Sequence, residues 1–341
     1  MSRGRWVVSC LIVFWMSLAG TAMAADPGRR CGGSSSAAPA TGRKVVSSDG
    51  RAATAPARAP ARVLASVQDT CGYLEVVEAG GLRLLVCDGV IQAAVPSSGV
   101  RLLPGVLIRA RDYVELIPYY RTGTRNALVI GLGGGLHARA LACHGIATHA
   151  VDVEPAIVPL AEEYFDFDGE VTIADGRAFL EQTQRRFDAI VLDTFQGASV
   201  PKHLYTREAF ARMRDRLADG GVLAVHLVAP PQHASTAAVA RTLAAVFPHT
   251  VALRNGFGDG IQHIYLLSGT LPLELSPRQR LQLRAWGFVG DEFFTVNTAG
   301  ARILTDNENP LDRLCRDPAA EHRRGSLIDA CTHNARGQPT F

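Results

Sequence analysis

The chain has 341 residues, of which 47% are hydrophobic and 20% are charged, and its formal net charge is +3. This length accommodates one large domain or two modest ones. The small net charge and the lack of a lysine- and arginine-rich block argue against nucleic-acid binding, and the composition is typical of an α/β enzyme rather than of a charged scaffold.

The chain begins with the pattern of a cleavable export signal. Arg3 and Arg5 precede an apolar stretch from Trp6 to Leu18, and Ala22-Met23-Ala24 supplies a small-x-small cleavage site. The apolar stretch is too short to favour a stable membrane span. We therefore predict a signal peptide over residues 1–24 and a periplasmic or secreted mature protein.

The next two segments differ sharply in composition. Residues 25–62 are rich in Ala, Pro, Gly, Ser and Arg and contain almost no large apolar side chains, which predicts a disordered linker. Residues 63–120 then contain short β-type runs separated by the turn signals Gly80-Gly81 and Asp88-Gly89. They predict a small antiparallel β unit, followed by a connecting helix over Arg109–Tyr120.

The cysteines of the mature chain form no CxxC pair and no Cys/His cluster at metal-binding spacing, so we predict no metal site. Cys71 and Cys87 flank the Gly80-Gly81 hairpin at nearly opposite positions. An oxidising compartment would permit a disulfide between them. Two buried free thiols are an equally acceptable interpretation.

Residues 121–315 alternate short apolar strands with helices, which predicts a parallel, doubly wound sheet, and residues 316–341 form a C-terminal tail. Ligands of such sheets bind beyond the carboxyl ends of the strands. The predicted strands are Leu128–Leu132, His149–Val153, Val171–Ala174, Ala189–Asp193, Gly221–Leu227, Thr250–Arg254 and His263–Ser268.

Two features at the start of this domain indicate nucleotide binding. A glycine-rich turn follows the first strand and leads into a helix, where backbone N–H groups can approach a ligand. Asp152 ends the second strand about twenty residues after the first glycine, a position at which an acid accepts hydrogen bonds from ribose hydroxyls; a turn or capping role is the alternative. The glycines concerned are Gly131, Gly133, Gly134 and Gly135.

Two further acids end the third and fourth strands. Asp175-Gly176 suits recognition of an adenine amino group, although Asp175 would also cap the following helix. Asp193 lies at the end of the predicted central strand, where its carboxylate could hold an amine or take its proton. The loop residues His203 and Tyr205 are interpreted as packing residues.

Together these motifs resemble the spermidine synthase family, the polyamine aminopropyltransferases, over roughly residues 63–312. The resemblance rests on "LLVCDGVIQ", "GLGGG", "VDVEP", "ADGRAF" and "FDAIVLD". It implies a Rossmann-like sheet of the class I methyltransferase type preceded by a small antiparallel β unit. It also implies decarboxylated S-adenosylmethionine as co-substrate, held by Asp152 and Asp175, with Asp193 handling the amine. Gln92 matches the substrate-side glutamine of the family.

The chain departs from the family pattern on the polyamine side. Family members follow the glycines with an aspartate that binds the aminopropyl ammonium, where this chain has Leu136. Gln196 likewise stands where the family has a second carboxylate. The acids Asp306, Glu308 and Asp312 could return carboxylates to the site or cap a terminal helix.

Three functional hypotheses follow. The first is aminopropyl transfer to a small-molecule amine such as putrescine. The second is methyl transfer from S-adenosylmethionine, since Leu136 removes a charge that would repel its carboxylate. The third is a non-catalytic periplasmic protein that binds a nucleoside or a polyamine. None of them involves a nucleic-acid partner, and a homodimer is one option for the assembly.

Overall fold

The structure is a computed structural model that describes residues 61–69, 72–99, 101–109, 112–195, 200–256 and 258–315. The predicted signal peptide, the tail and nearly all of the predicted linker lie outside these ranges, as do Cys71 and Gln196. The predictions made for them are therefore not tested. Within the described ranges, no helix has the length and hydrophobicity that crossing a bilayer requires.

The first part of the described chain is the predicted antiparallel β unit. Four strands follow one another in sequence order, and each pairs with the next. The tight turns after the second and third strands fall at Gly80-Gly81 and Asp88-Gly89, as predicted, and all four residues have positive φ. The strands are β1 (Arg62–Asp69), β2 (Gly72–Ala79), β3 (Leu82–Cys87) and β4 (Val90–Pro96).

The connecting segment differs from the single helix predicted over Arg109–Tyr120. Asp112 accepts a hydrogen bond from the Val114 backbone and starts a separate 3-10 turn. Pro118 lies in the first turn of the helix that follows, where its missing N–H costs no helical hydrogen bond. The elements are α1 (Val106–Arg109), the 3-10 turn (Tyr113–Leu116) and α2 (Ile117–Tyr120).

An eight-stranded sheet forms the main domain, with the order β12-β10-β11-β9-β8-β5-β6-β7. The five strands from β9 to β7 are parallel, as the doubly wound prediction requires, whereas β10, β11 and β12 pair antiparallel. The strands are β5 (Asn126–Ile130), β6 (Ala147–Asp152), β7 (Glu170–Ile173), β8 (Phe187–Leu192), β9 (Leu217–Ala229), β10 (His249–Arg254), β11 (Gln262–Gly269) and β12 (Phe293–Phe294).

Helices cover both faces of this sheet. One face packs against the β unit and α3, and the other against α6 and α7, so the apolar strand residues are buried on both sides. The helices are α3 (Leu136–Cys143), α4 (Ile157–Phe165), α5 (Gly176–Gln182), α6 (Arg207–Arg216), α7 (Ala234–Ala244), α8 (Pro277–Ala285) and α9 (Leu311–Leu314), with a 3-10 turn over Lys202–Leu204.

The register of the parallel strands aligns their carboxyl ends. Ile130 of β5 pairs with Val151 of β6 and with Leu192 of β8. Asp152 pairs in turn with Ile173 of β7. The residues that follow these four strands therefore meet at one edge of the sheet, which is where the candidate site lies.

Candidate active site

The glycine loop after β5 is packed against the end of β8. Gly131 has φ of 95°, and a Cβ at this position would lie 1.9 Å from the backbone oxygen of Asp193. Its N–H donates to the Val151 carbonyl over 2.8 Å. Because only glycine has no Cβ, it lets the loop approach the backbone of Asp193 this closely. The glycine loop is thus in direct contact with Asp193, the acid that follows β8.

Asp152 holds the other side of the glycine loop. Its carboxylate accepts hydrogen bonds from the backbone N–H of Leu132, at 2.7 Å, and of Glu154, at 2.9 Å. Burial raises the pKa of Asp152, and the backbone donors only partly offset this effect. The backbone N–H groups of Gly133 and Val153 also act on this carboxylate, so Asp152 fixes the glycine loop to the end of β6.

Asp175 caps α5. Its Oδ1 accepts from the N–H groups of Arg177 and Ala178, both at 3.0 Å, and its Oδ2 lies 2.7 Å from Nε2 of His203. Burial acts to raise the pKa of Asp175, but the Ala178 donor and His203 outweigh it and lower the pKa. His203 is therefore a partner of this acid and not only a packing residue of its loop. The capping role anticipated for Asp175 is present.

Replacing Asp175 by alanine is expected to lower the free energy of unfolding by about 0.5–2 kcal/mol, the cost of losing a helix cap. Asp175→Ser keeps a capping oxygen and should restore most of that loss in urea unfolding. If Asp175 also contacts the nucleoside, the serine variant regains stability without regaining nucleoside affinity. If the serine variant regains both the free energy of unfolding and the nucleoside affinity, Asp175 acts only as a helix cap.

Asp193 lies at the centre of a cluster of imidazoles and carboxylates. Its Oδ1 is 2.6 Å from Nδ1 of His226, and its Oδ2 is 3.0 Å from Nδ1 of His137. Nε2 of His137 lies 2.7 Å from Oδ2 of Asp112, and Nε2 of His226 lies 2.9 Å from Nδ1 of His263. Asp112 precedes the 3-10 turn Tyr113–Leu116, and His137 lies in α3. His226 and His263 lie in β9 and β11, and Asp193 follows β8.

Aromatic stacking fixes the orientation of His226 within this cluster. Its ring lies nearly parallel to that of Tyr265, with centroids 4.6 Å apart, and to that of His263, at 5.0 Å. Phe195 contacts the same ring edge-on at 5.3 Å. The side chain of His226 is only 8% exposed, compared with 23% for Asp193. Asp193 is therefore the more accessible member of this pair.

Opposite charges stabilise the ionised forms of the cluster. Burial acts to raise the pKa of Asp193, but His226 and His137 outweigh it and hold the pKa well below its usual range. Burial likewise opposes ionisation of His137 and Asp112. Nevertheless Asp112 and Asp193 raise the pKa of His137 well above 6.5, and His137 lowers the pKa of Asp112 below 3.8. The cluster therefore contains a His137 cation between two carboxylates near neutral pH.

These shifts predict a pH window of greatest stability. Because the pKa values of Asp112 and Asp193 are lower in the folded than in the unfolded protein, both carboxylates stabilise the fold above about pH 3.8. This stabilisation is lost as the pH falls through their folded-state pKa values. Because the pKa of His137 is higher in the folded than in the unfolded protein, its imidazole stabilises the fold fully below about pH 6.5. This stabilisation is lost as the pH rises through the folded-state pKa of His137. In urea unfolding, the free energy of unfolding of wild type should decrease at alkaline pH, and that of His137→Gln should decrease less. Equal decreases in the two proteins would contradict the raised pKa of His137.

The substrate-side residues predicted from the family pattern occupy different surroundings. Gln92 is the extra residue of a β-bulge in β4, and the adjacent Ala93 faces Gly134 of the glycine loop. Leu136, in contrast, packs into the apolar cluster of Leu102 and Leu107. The residue of α3 that reaches the crevice is its neighbour His137. Leu136 thus leaves no carboxylate at the start of α3, where the family has an aspartate.

The C-terminal acids do not supply carboxylates to the Asp193 cluster. Asp306 binds the Arg177 guanidinium through both oxygens, at 2.7 and 2.6 Å, and accepts from Thr206. Glu308 binds Arg302, and Asp312 lies 3.9 Å from Lys202. Each of these acids is thus already paired with a basic side chain.

Sequence reasoning singled out Asp193 but missed its partners. His226 interrupts an otherwise apolar run in β9, whereas His263 is the second residue of β11, after Gln262. A polar residue near the end of a buried strand is a usable signal for a site, although it does not reveal its partner. The pairing of these histidines with Asp112 and His137 depends on the three-dimensional fold.

The doubly wound sheet, the glycine loop and the acids at successive strand ends define the class of protein. It is a Rossmann-like domain of the class I methyltransferase type, preceded by a small antiparallel β unit. Among the residues that the structure describes, no group of three or more His, Cys, Asp or Glu side chains could hold a metal ion.

Residues 114–253 match the family model of the spermine/spermidine synthase domain. A polyamine aminopropyltransferase 2 of Pseudomonas aeruginosa (strain PAO1) is 30% identical over 265 residues, which cover 73% of this chain and 66% of that protein. The chain belongs to the spermidine synthase family.

A second relative comes from a fungus. An N-terminal histidine N-methyltransferase of Emericella nidulans is 31% identical over 212 residues, which cover 54% of this chain and 37% of that protein. The match thus spans little more than a third of this relative and about two thirds of the bacterial one.

Comparison with solved structures agrees with the fold. The crystal structure of a probable spermidine synthase from Corynebacterium glutamicum superposes with a TM-score of 0.57 at 17% identity, covering 71% of this chain and 96% of that one. At this level of identity, the likeness supports the shared fold alone.

Proposed function

We propose that the chain is a transferase that moves the aminopropyl group of decarboxylated S-adenosylmethionine to a small-molecule amine, with putrescine as the first amine to test. The observation that carries the proposal is the meeting of Asp152, the glycine loop and Asp193 at one edge of the sheet. Family membership and the polyamine aminopropyltransferase relative support the same reaction class.

The residues present fit the nucleoside part of such a co-substrate. No heavy atom lies within 4 Å of the position that a Cβ on Gly133 would occupy, so the loop leaves room for a ligand there. Asp152 would accept hydrogen bonds from the ribose hydroxyls. Asp175 and the backbone beside it would pair with the adenine amino group. The sulfonium would then lie between the glycine loop and Asp193.

The chemistry requires little more than positioning and removal of one proton. A sulfonium is an excellent leaving group, so holding the amine in line with the carbon next to sulfur supplies most of the rate. The amine nitrogen forms a bond to that carbon, the carbon–sulfur bond breaks with its electron pair going to sulfur, and methylthioadenosine leaves. Asp193, as the more accessible member of its pair with His226, would accept a hydrogen bond from the amine nitrogen and pass the proton along the His226–His263 pair behind it, because its own lowered pKa does not let it retain the proton.

Methyl transfer from intact S-adenosylmethionine is the second candidate. It is supported by the similarity to the fungal N-methyltransferase and by Leu136, which leaves no carboxylate beside the helix start for the ammonium of the decarboxylated co-substrate. The acceptor nitrogen and Asp193 would act as in the first reaction, but S-adenosylhomocysteine would be the product.

Product identification separates these functions. The mature protein is incubated with either co-substrate and a set of amines that includes putrescine and n-butylamine, and the nucleoside products are identified by mass spectrometry. Methylthioadenosine that depends on both the amine and Asp193 supports aminopropyl transfer, and S-adenosylhomocysteine supports methyl transfer. Ligand binding without any product from folded protein would contradict both and favour the non-catalytic binding protein.

A further inference from the structure

We propose that the acceptor carries at most one positive charge, and that His137 is the specificity-determining residue that imposes this limit by occupying the place of a second substrate ammonium. The inference rests on the proposed transfer reaction, in either of its two forms. It concerns the acceptor and not the nucleoside.

The contacts of His137 show that its ring carries a positive charge. Its Nδ1 lies 3.0 Å from a carboxylate oxygen of Asp193, and its Nε2 lies 2.7 Å from one of Asp112. A neutral imidazole has one N–H donor and one acceptor, so it would turn a lone pair toward one of these carboxylates. Both contacts are favourable only when both nitrogens carry a proton. The geometry therefore describes an imidazolium.

The carboxylate oxygens of Asp193 and Asp112 already have hydrogen-bond partners within the protein. His137 and His226 engage the two oxygens of Asp193, one each. Asp112 binds His137 through Oδ2, while its Oδ1 accepts from the Val114 N–H. An ammonium that forms an ion pair with Asp193 must therefore share an oxygen with an imidazole, and at Oδ2 that imidazole is the His137 cation.

The charges of Asp112, His137 and Asp193 leave one negative charge in excess. Asp112 and Asp193 together carry two negative charges, and the His137 cation cancels one of them. The acids that end the neighbouring strands are held elsewhere: Asp175 caps α5 and pairs with His203, and Asp152 binds backbone amides on the side of the glycine loop away from Asp193. The sulfonium of the co-substrate adds a further positive charge. A diamine would thus bring one ammonium more than the crevice can neutralise, and an unpaired buried charge is costly.

Two amines with the same carbon chain isolate this effect. n-Butylamine and putrescine differ only in the second amino group, so the ratio of their kcat/KM values reports the cost of the second charge. Wild type should prefer n-butylamine roughly tenfold or more, the factor that corresponds to about 1.4 kcal/mol. His137→Gln keeps a hydrogen-bonding side chain without the charge, and should shift the ratio toward putrescine by roughly tenfold or more.

Two further variants serve as controls. His137→Lys restores a cation at the same position and should keep the wild-type ratio. His249→Ala removes a histidine at the start of β10, outside the cluster, and should leave the ratio unchanged. Calorimetry of each amine with methylthioadenosine-saturated protein provides the same comparison without turnover, so a loss of activity in a variant does not prevent the test.

The outcomes distinguish the two proposals. Absence of product with every amine contradicts the transferase, whereas the calorimetric comparison still tests the charge limit. A wild-type preference for putrescine, in turnover or in binding, overturns the role of His137. So does an unchanged ratio in folded His137→Gln. If that variant does not fold, the preference measured with wild type decides.

Discussion

Asp193→Asn is expected to lower kcat/KM by about 10²–10⁴, the range associated with the loss of a positioned acid or base. The asparagine cannot take a proton from the amine, and its amide group offers one acceptor oxygen where His137 and His226 now find two. The imidazolium of His137 also loses one of its counter-charges. The measurement is the initial rate of methylthioadenosine formation under conditions in which both proteins are folded.

Asp188→Asn is the matched control, because Asp188 lies at the start of β8, whereas Asp193 follows the last residue of the same strand. Its carboxylate binds Arg121 at 2.8 Å and accepts from the Arg125 backbone. This variant should lose stability but keep most of its kcat/KM. Equal losses of activity in the two variants would show that Asp193 acts through stability alone.

Gly131→Ala is expected to lower the free energy of unfolding by about 2–5 kcal/mol and to reduce turnover. A positive φ costs a residue with a Cβ about 1–2 kcal/mol, and relieving an overlap in a packed site costs about 1–3 kcal/mol more. Here the overlap is with the backbone oxygen of Asp193, which has no alternative rotamer. Urea unfolding with an unchanged m-value would measure the loss.

Gly133→Ala provides the comparison within the same loop. Gly133 also has positive φ, at 52°, but a Cβ there would meet no heavy atom within 4 Å. Only the backbone cost of about 1–2 kcal/mol is therefore expected. If both alanine variants lose the same stability, close packing of Gly131 on Asp193 does not hold the loop in place.

Local patterns predicted much of this architecture. The alternation of apolar strands with helices marked the doubly wound sheet, and β10 (His249–Arg254) differs from the predicted strand Thr250–Arg254 by one residue. The glycine turns of the β unit also fall where dipeptide signals placed them. Such features depend on residues close together in the sequence, which is why the sequence alone reveals them.

Other features were missed although a local signal existed. The helix Pro277–Ala285 begins with a capping box in which Ser276 and Gln279 exchange hydrogen bonds, and this Ser-Pro-x-Gln pattern is readable in the sequence. Conversely, the helical spacing of Arg109–Tyr120 suggested one helix where Asp112 starts a separate turn. The apolar spacing is the same in both arrangements, so only the capping residue distinguishes them.

The histidine cluster could not be predicted because its members come from distant parts of the chain. His137 lies next to Leu136, and the family pattern directed attention to the latter position. The structure turns Leu136 into apolar packing and directs His137 into the crevice, between Asp112 and Asp193. The charge balance of the site therefore depends on side-chain directions that the order of residues does not specify.

The most direct test of the proposed nucleoside site is a crystal structure of the protein with methylthioadenosine. We expect the ribose hydroxyls to bind Asp152, the adenine to lie beside Asp175, and the sulfur to lie between the glycine loop and Asp193. A nucleoside bound elsewhere on the protein, or no binding at concentrations that saturate related transferases, would contradict it.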